Sequence, residues 1–133
     1  MSYIISPPED AALQAHLHKL RTQLHEDPEL SWQEHRTTRL VRRELEALCL
    51  EPVPLGLPTG TAALLRGALP GPTVGLRADL DALPITERTG AEFSSRVPGV
   101  MHACGHDIHM AALLGAARLL AARQEQLAGN VLF

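Results

Sequence analysis

Proline and glycine set the boundaries of anything this chain can build. Pro28 interrupts it early, and Pro52, Pro54, Gly56, Pro58 and Gly60 interrupt it again. Proline lacks an amide hydrogen and collides with the preceding helical turn, so helices are confined to the windows left between such residues. In the first window, Ser6-Pro7-Pro8-Glu9 supplies an N-cap, first-turn prolines and a capping-box glutamate, and Leu13, Leu17, Leu20 and Leu24 follow at helical spacing. This predicts a helix ending before Pro28. Ser31-Trp32-Gln33-Glu34 repeats the capping pattern, and Val41, Leu45 and Leu48 carry an apolar stripe to about Cys49, predicting a second helix. Arg36, Arg39, Arg42 and Arg43, interleaved with Glu34, Glu44 and Glu46, read as its solvated face.

Residues 52–60 read as a connector in which neither helix nor ladder persists. The short apolar runs 61–66 and 73–78 are predicted strands joined by a turn at Gly67-Ala68-Leu69-Pro70-Gly71-Pro72. Residues 79–101, broken by Pro84, Gly90, Pro98 and Gly99, read as a long functional loop. From about Asp107 to Arg123, Met110, Leu113, Leu114, Ala117, Leu120 and Ala121 mark a strongly apolar third helix, with Ala111, Ala112, Gly115 and Ala116 permitting close packing. Gly129-Asn130 reads as a turn, and a strand starts at Val131. The order helix, helix, strand, strand, helix, strand predicts an α/β layer cut off partway along.

A chain of 133 residues has room for one domain with a real core, and 45% hydrophobic against 20% charged residues exclude disorder. A net charge of −3 and 3% aromatic residues argue against a nucleic-acid partner. The apolar stretch 110–122 is too short to span a bilayer and contains Arg118, so no membrane association is expected. Cys49 and Cys104 sit in different settings, which predicts reduced thiols and a cytoplasmic protein. Cys49, ending an amphipathic helix, is expected only to pack. The strand interrupted after Val131 and the partly uncovered third helix predict a homo-oligomer.

The densest chemical signal is Met101-His102-Ala103-Cys104-Gly105-His106-Asp107-Ile108-His109, lying between a loop and a helix start. Thiolate and imidazole are the preferred ligands of zinc-type metals, a helix N-terminus favours the thiolate, and Gly105 lets Cys104 and His106 converge. A buried apolar cysteine and a Cys–His nucleophilic pair are the competing readings. Asp107 reads equally as a helix cap or as support for a ligand, and His102 and His109 as structural donors or supporting groups. In Leu76-Arg77-Ala78-Asp79-Leu80-Asp81-Ala82-Leu83-Pro84, alternation places Asp79 and Asp81 on one side at the carboxyl end of a strand, where open α/β sheets build their sites. A turn-capping pair is the alternative. The segment Leu24-His25-Glu26-Asp27-Pro28-Glu29-Leu30-Ser31 reads, by its chemistry alone, as a polar turn.

In this order the segments resemble the M20 metallopeptidase family, in its amidohydrolase branch of hippurate hydrolases, N-acyl-amino-acid deacylases and auxin-conjugate hydrolases. The resemblance rests on Arg21-Thr22-Gln23-Leu24-His25 with Pro28-Glu29-Leu30-Ser31 and Glu34, on the strand-end segment 75–84, and on 101–107 with His109 and Leu113-Leu114-Gly115-Ala116-Ala117. It implies a zinc-peptidase-like mixed sheet flanked by helices, with 1–133 forming the N-terminal part of a catalytic domain, about the first third of a family protein. The rest of that domain and an inserted dimerisation domain lie elsewhere. It also implies two divalent metals (Zn²⁺, Mn²⁺, Co²⁺ or Ni²⁺), with Cys104 and His106 as ligands and Asp81 as the catalytic aspartate. Asp79 stands where other branches carry a histidine ligand, and Asp79, His102, Asp107 and His109 are candidates for the supporting shell. The implied substrate is a small N-acyl amino acid or peptide-like conjugate. The family's glutamate pair is absent from the sequence, so the chain alone is expected to be inactive. A non-catalytic association module with partial metal binding is the alternative; an Asp-x-Asp phosphohydrolase is a remoter one, disfavoured by the soft thiolate.

Overall fold

The computed structural model describes residues 11–133. Their order is α1 (Ala11–Glu26), α2 (His35–Glu46), β1 (Glu51–Val53), β2 (Ala62–Arg66), β3 (Leu69–Gly75), α3 (His106–Ala121), a 3₁₀ turn (Gln124–Gln126) and β4 (Ala128–Leu132). The strands form one mixed sheet in the order β1-β2-β4-β3, with β3 and β4 parallel and the other pairs antiparallel. The α/β class follows the sequence pattern. No helix among the described residues is long and apolar enough to cross a membrane.

Strand alternation turns Ala63, Leu65 and Val131 to one face, where they join Leu20 and Leu24 of α1, Leu40, Val41 and Leu45 of α2, and Met110, Leu114 and Ala117 of α3 in one core. The small residues of α3 act as its composition suggests. A methyl group at Gly115 would stand 2.8 Å from the tip of the Leu17 side chain, so α3 meets α1 there and a Cβ would make the leucine side chain shift. The capping sequence proposed before α1 lies outside the described residues.

Several local expectations are revised. The capping box at Ser31 does not form: α2 starts at His35, and its N-cap Glu34 makes no side-chain cap bond. Trp32 instead holds a left-handed turn (φ 65°). The proline-rich connector contains β1 after all, with Pro52 opposite Ala63; at a sheet edge the missing amide hydrogen can face away from the ladder. The predicted hairpin is likewise not one. The predicted turn 67–72 supplies the first half of β3, and β4 lies between β2 and β3. Gly129-Asn130 belongs to β4 rather than to a turn. Cys49 is exposed in a left-handed conformation (φ 56°) just beyond α2, so it closes the helix instead of packing.

Glycine explains the inserted strand. Gly129 has φ 84°, and a Cβ there would lie 2.0 Å from the Pro72 carbonyl oxygen; one at Gly67 would lie 2.3 Å from the Gly129 carbonyl oxygen. Three backbones pass too closely for side chains, and the β3–β4 register shifts between Leu69 and Thr73 at the same level. Gly129→Ala should therefore destabilise the chain by about 3 kcal/mol or more, combining left-handed strain with overpacking. Gly75→Ala, with nothing within 4 Å of its added methyl group, should stay within about 0.5 kcal/mol of the parent. Urea-unfolding midpoints compare the two.

Candidate functional site

The chain leaves β3 at Gly75 and runs without regular secondary structure to the start of α3. Asp79 and Asp81 thus follow the strand by several residues rather than ending it, so strand alternation does not place them; both lie near the His106 ring at the start of α3. The His106 ring lies 2.9 Å through Nδ1 from the Asp81 carbonyl oxygen and 3.1 Å from Asp81 Oδ1. Its Nε2 is 3.9 Å from Asp79 Oδ2. Two oxygens at Nδ1 favour the tautomer in which that nitrogen donates, leaving the Nε2 lone pair on the side of Asp79. Asp79 is half-exposed and also accepts from Arg77 at 2.6 Å.

Gly105 (φ 83°) is the N-cap of α3 and separates exposed Cys104 from His106. Only a residue without a side chain makes this sharp entry into a helix cheaply. His109 lies one turn on, its ring 6.0 Å from that of His106. Asp79, Asp81 and His106 line an open cavity of about 890 Å³ whose apolar wall includes Leu76, Met110 and Phe133. Glu34 lines it too, buried and with one carboxylate oxygen unpartnered among the described residues.

Behind this surface lies an arrangement that the polar-turn reading of the His25 segment missed. Asp107, 1% exposed, is among the most deeply buried side chains of the described residues. Its Oδ2 accepts from Arg21 Nε at 2.9 Å and lies 2.7 Å from His25 Nδ1; the far nitrogen of His25 lies 3.2 Å from Glu87 Oε1. Phe93 closes the cluster, 4.3 Å under the Arg21 guanidinium and edge-on to the His25 ring. Asp107 therefore ties the first turn of α3, which carries His106, to α1. Burial pushes the Glu87 carboxyl up, but the Ser95 amide, the Thr89 hydroxyl and His25 together hold it below its ordinary value. His102 is buried at 4% exposure, and desolvation pushes its pKa down against the opposing pull of Asp107.

Glu29 is the second missed residue. Its carboxylate accepts from the Arg36 and Thr37 amides at 3.1 and 2.8 Å and from the Thr37 hydroxyl at 2.9 Å, capping α2 in place of the absent capping box. Its backbone carbonyl accepts from the Ala82 amide at 2.8 Å, beside Asp81. Leu83 and Met101 exchange backbone bonds across the loop, and the Arg96 amide donates to the Glu26 carbonyl. The long loop is thereby strapped to α1 and to the segment before α2. A sequence signal existed: acids and a histidine clustered around Pro28, which reads as turn chemistry when no distant partner is known.

Over 114 residues, 85% of this chain and 29% of the relative, the sequence is 49% identical to thermostable carboxypeptidase 1 of Saccharolobus solfataricus. It is 47% identical over 125 residues, 93% of this chain and 33% of the relative, to N-acetylcysteine deacetylase of Bacillus subtilis. Among solved structures, a dinuclear metal-binding M20 peptidase of Bacillus subtilis superposes with a TM-score of 0.90 at 47% identity, covering 93% of this chain and 35% of that one. The family model described as Peptidase family M20/M25/M40 matches residues 75–133. The chain is similar to the M20 family over residues 75–133 and to the solved M20 peptidase over 93% of its length. It spans about a third of the length of these relatives. The M20 match contains Asp79, Asp81, Cys104, His106 and Asp107, while Arg21, His25 and Glu29 lie before it.

Burial pushes the Glu29 carboxyl up, but the hydrogen bonds from Thr37 and Arg36 outweigh it and hold the group below its ordinary value of 4.5. A carboxyl lowered on folding stabilises the fold above its unfolded pKa and loses that contribution as pH falls through the folded one. Glu29→Gln should then cost about 1 kcal/mol at neutral pH, the scale of a helix cap. The gap between variant and parent should close as pH drops below 4.5. Chemical unfolding at several pH values measures it.

Proposed function

We propose that the chain forms part of the catalytic domain of a metal-dependent amidohydrolase acting on N-acyl amino acids or related small conjugates. Residues 1–133 would supply the first part of that domain, with the remaining catalytic and dimerisation parts elsewhere in the whole protein and the assembly a homo-oligomer. The observation that carries the reading is the His106 ring, whose Nδ1 is engaged by Asp81 while Nε2 stays available beside Asp79. An imidazole oriented in this way by a carboxylate is the usual preparation of a metal ligand.

The donor types suit a divalent metal, and Cys104 and His106 would hold it, as thiolate and imidazole. When bound, such a metal supplies a water activated at neutral pH and polarisation of an amide carbonyl. The chain's own residues do the preparatory work. Gly105 turns Cys104 and His106 to the same end of α3, Asp81 fixes the His106 ring, and Asp107 anchors the turn below them. Zn²⁺, Mn²⁺, Co²⁺ and Ni²⁺ all suit these donors, with the thiolate favouring the softer ions. The names of the deacetylase and carboxypeptidase relatives support an amide as the bond cleaved. Two free thiols suit a reducing compartment, which supports a cytoplasmic location.

One observation favours inactivity of the chain by itself. Among the described residues, no group of three or more His, Cys, Asp or Glu side chains is gathered to hold a metal ion. A catalytic metal site draws on at least three protein ligands, and the base that shuttles the water proton must come from elsewhere. Titration of the purified chain with Co²⁺ should produce a thiolate charge-transfer band that disappears in Cys104→Ser. Asp81→Asn should weaken Co²⁺ affinity by about 10–100-fold. Hydrolysis of N-acetyl and N-benzoyl amino acids by the same chain should stay at background with Co²⁺, Mn²⁺ or Zn²⁺. Turnover abolished by Cys104→Ser would overturn the inactivity, and no Co²⁺ band at all would overturn the ligand assignment.

A further inference from the structure

Among the described residues, five buried side-chain polar atoms lack a hydrogen-bond partner, and three of them belong to His102 and Asp107. They are both ring nitrogens of His102 and Oδ1 of Asp107. The two residues flank the same imidazole. The His25 ring is 6.4 Å from that of His102, centroid to centroid, and its Nδ1 is 2.7 Å from the other oxygen of Asp107. Asp107 lies close enough for its charge to act on His102. Unpaired acceptors and a donor concentrated in so small and buried a region are rare in folded proteins, and ordered water is the usual partner when no protein group reaches them.

We propose that internal water bridges the His102 ring to Asp107 Oδ1, making His102 a positioning residue for the first turn of α3. Water suits the site better than a cation. Asp107 already has Arg21 and His25 on Oδ2, so what Oδ1 requires is a neutral donor. A neutral imidazole presents one acceptor and one N–H, and water can meet either while donating its own hydrogen to the carboxylate. With both oxygens engaged, the carboxylate plane is fixed. Asp107 then holds Arg21 and His25 in one orientation and keeps the turn that carries His106 from rocking. The bearing on His106 rests on its reading as a metal ligand; the water does not, so failure of one is distinguishable from failure of the other.

Isotope-labelled NMR on the 133-residue chain, without metal, tests the proposal. Long-lived water should give cross-relaxation to the His102 ring protons, and the hydrogen-bonded His25 Nδ1–H should be visible as a slowly exchanging signal. His102→Asn, which keeps a donor and an acceptor, should retain that His25 signal. His102→Leu, of similar bulk with neither, should lose it. A His102 ring without water contact in the parent chain, or bonded directly to Asp107, would overturn the proposal. So would an unchanged His25 signal in folded His102→Leu. Should His102→Leu fail to fold, the parent water contact and the His102→Asn signal decide the question, and absence of either counts against it.

Discussion

A single buried carboxylate adds a polar tie between α1, the long loop and the first turn of α3. Asp107 takes Arg21 and His25 on one oxygen, and through His25 the cluster reaches Glu87 in the long loop. An ionised side chain enclosed to 1% exposure is tolerable only when paired and hydrogen-bonded, and removing either partner leaves a charge stranded. The geometry of α1, the loop and the first turn of α3 is therefore set together. His106, next in sequence to Asp107, inherits that rigidity, and Asp81 completes its orientation from the solvent side. The site is built on a helix terminus held from behind and steered from in front.

The sheet follows a different constraint, the close passage of backbones. β4 enters between β2 and β3 because Gly67, Gly71 and Gly129 leave space that no side chain could share. Residues 67–72 look like a turn in the sequence because glycine and proline are the usual turn formers, and nothing local reveals that a later strand will pass beside them. Pairing with β4 is a long-range property. The helices were legible for the opposite reason: the leucines of α1 and the alanine-rich face of α3 report their burial through local periodicity. Even there the start of α2 was misplaced, since its cap comes from Glu29, outside the expected capping box.

The chemical surface was easier to read than the scaffold beneath it. Cys104, Gly105 and His106 stand together in the chain, and Asp79 and Asp81 are spaced so that both reach the same imidazole. His25 and Glu29 were harder, because their partners are Asp107 and Glu87 for the one and the start of α2 for the other. Residue chemistry assigns such groups to a loop; only the fold shows that they hold its neighbours. His102 is a further case, where residue type suggested a donor and the structure encloses it without a partner among the described residues.

If Asp107 is the pin, weakening it should loosen one region and spare the rest. Hydrogen exchange in Arg21→Met, which removes the Nε bond to Asp107 while keeping an apolar stem, measures this directly. The amides of Ile108 and His109, which donate to the Gly105 carbonyl, should exchange at least about tenfold faster, the scale of a lost charge-assisted hydrogen bond. The amides of Ala63 and Phe133, paired across β2 and the end of the chain, should keep their protection. Equal loss at both places, or no loss at Ile108 and His109, would contradict the account.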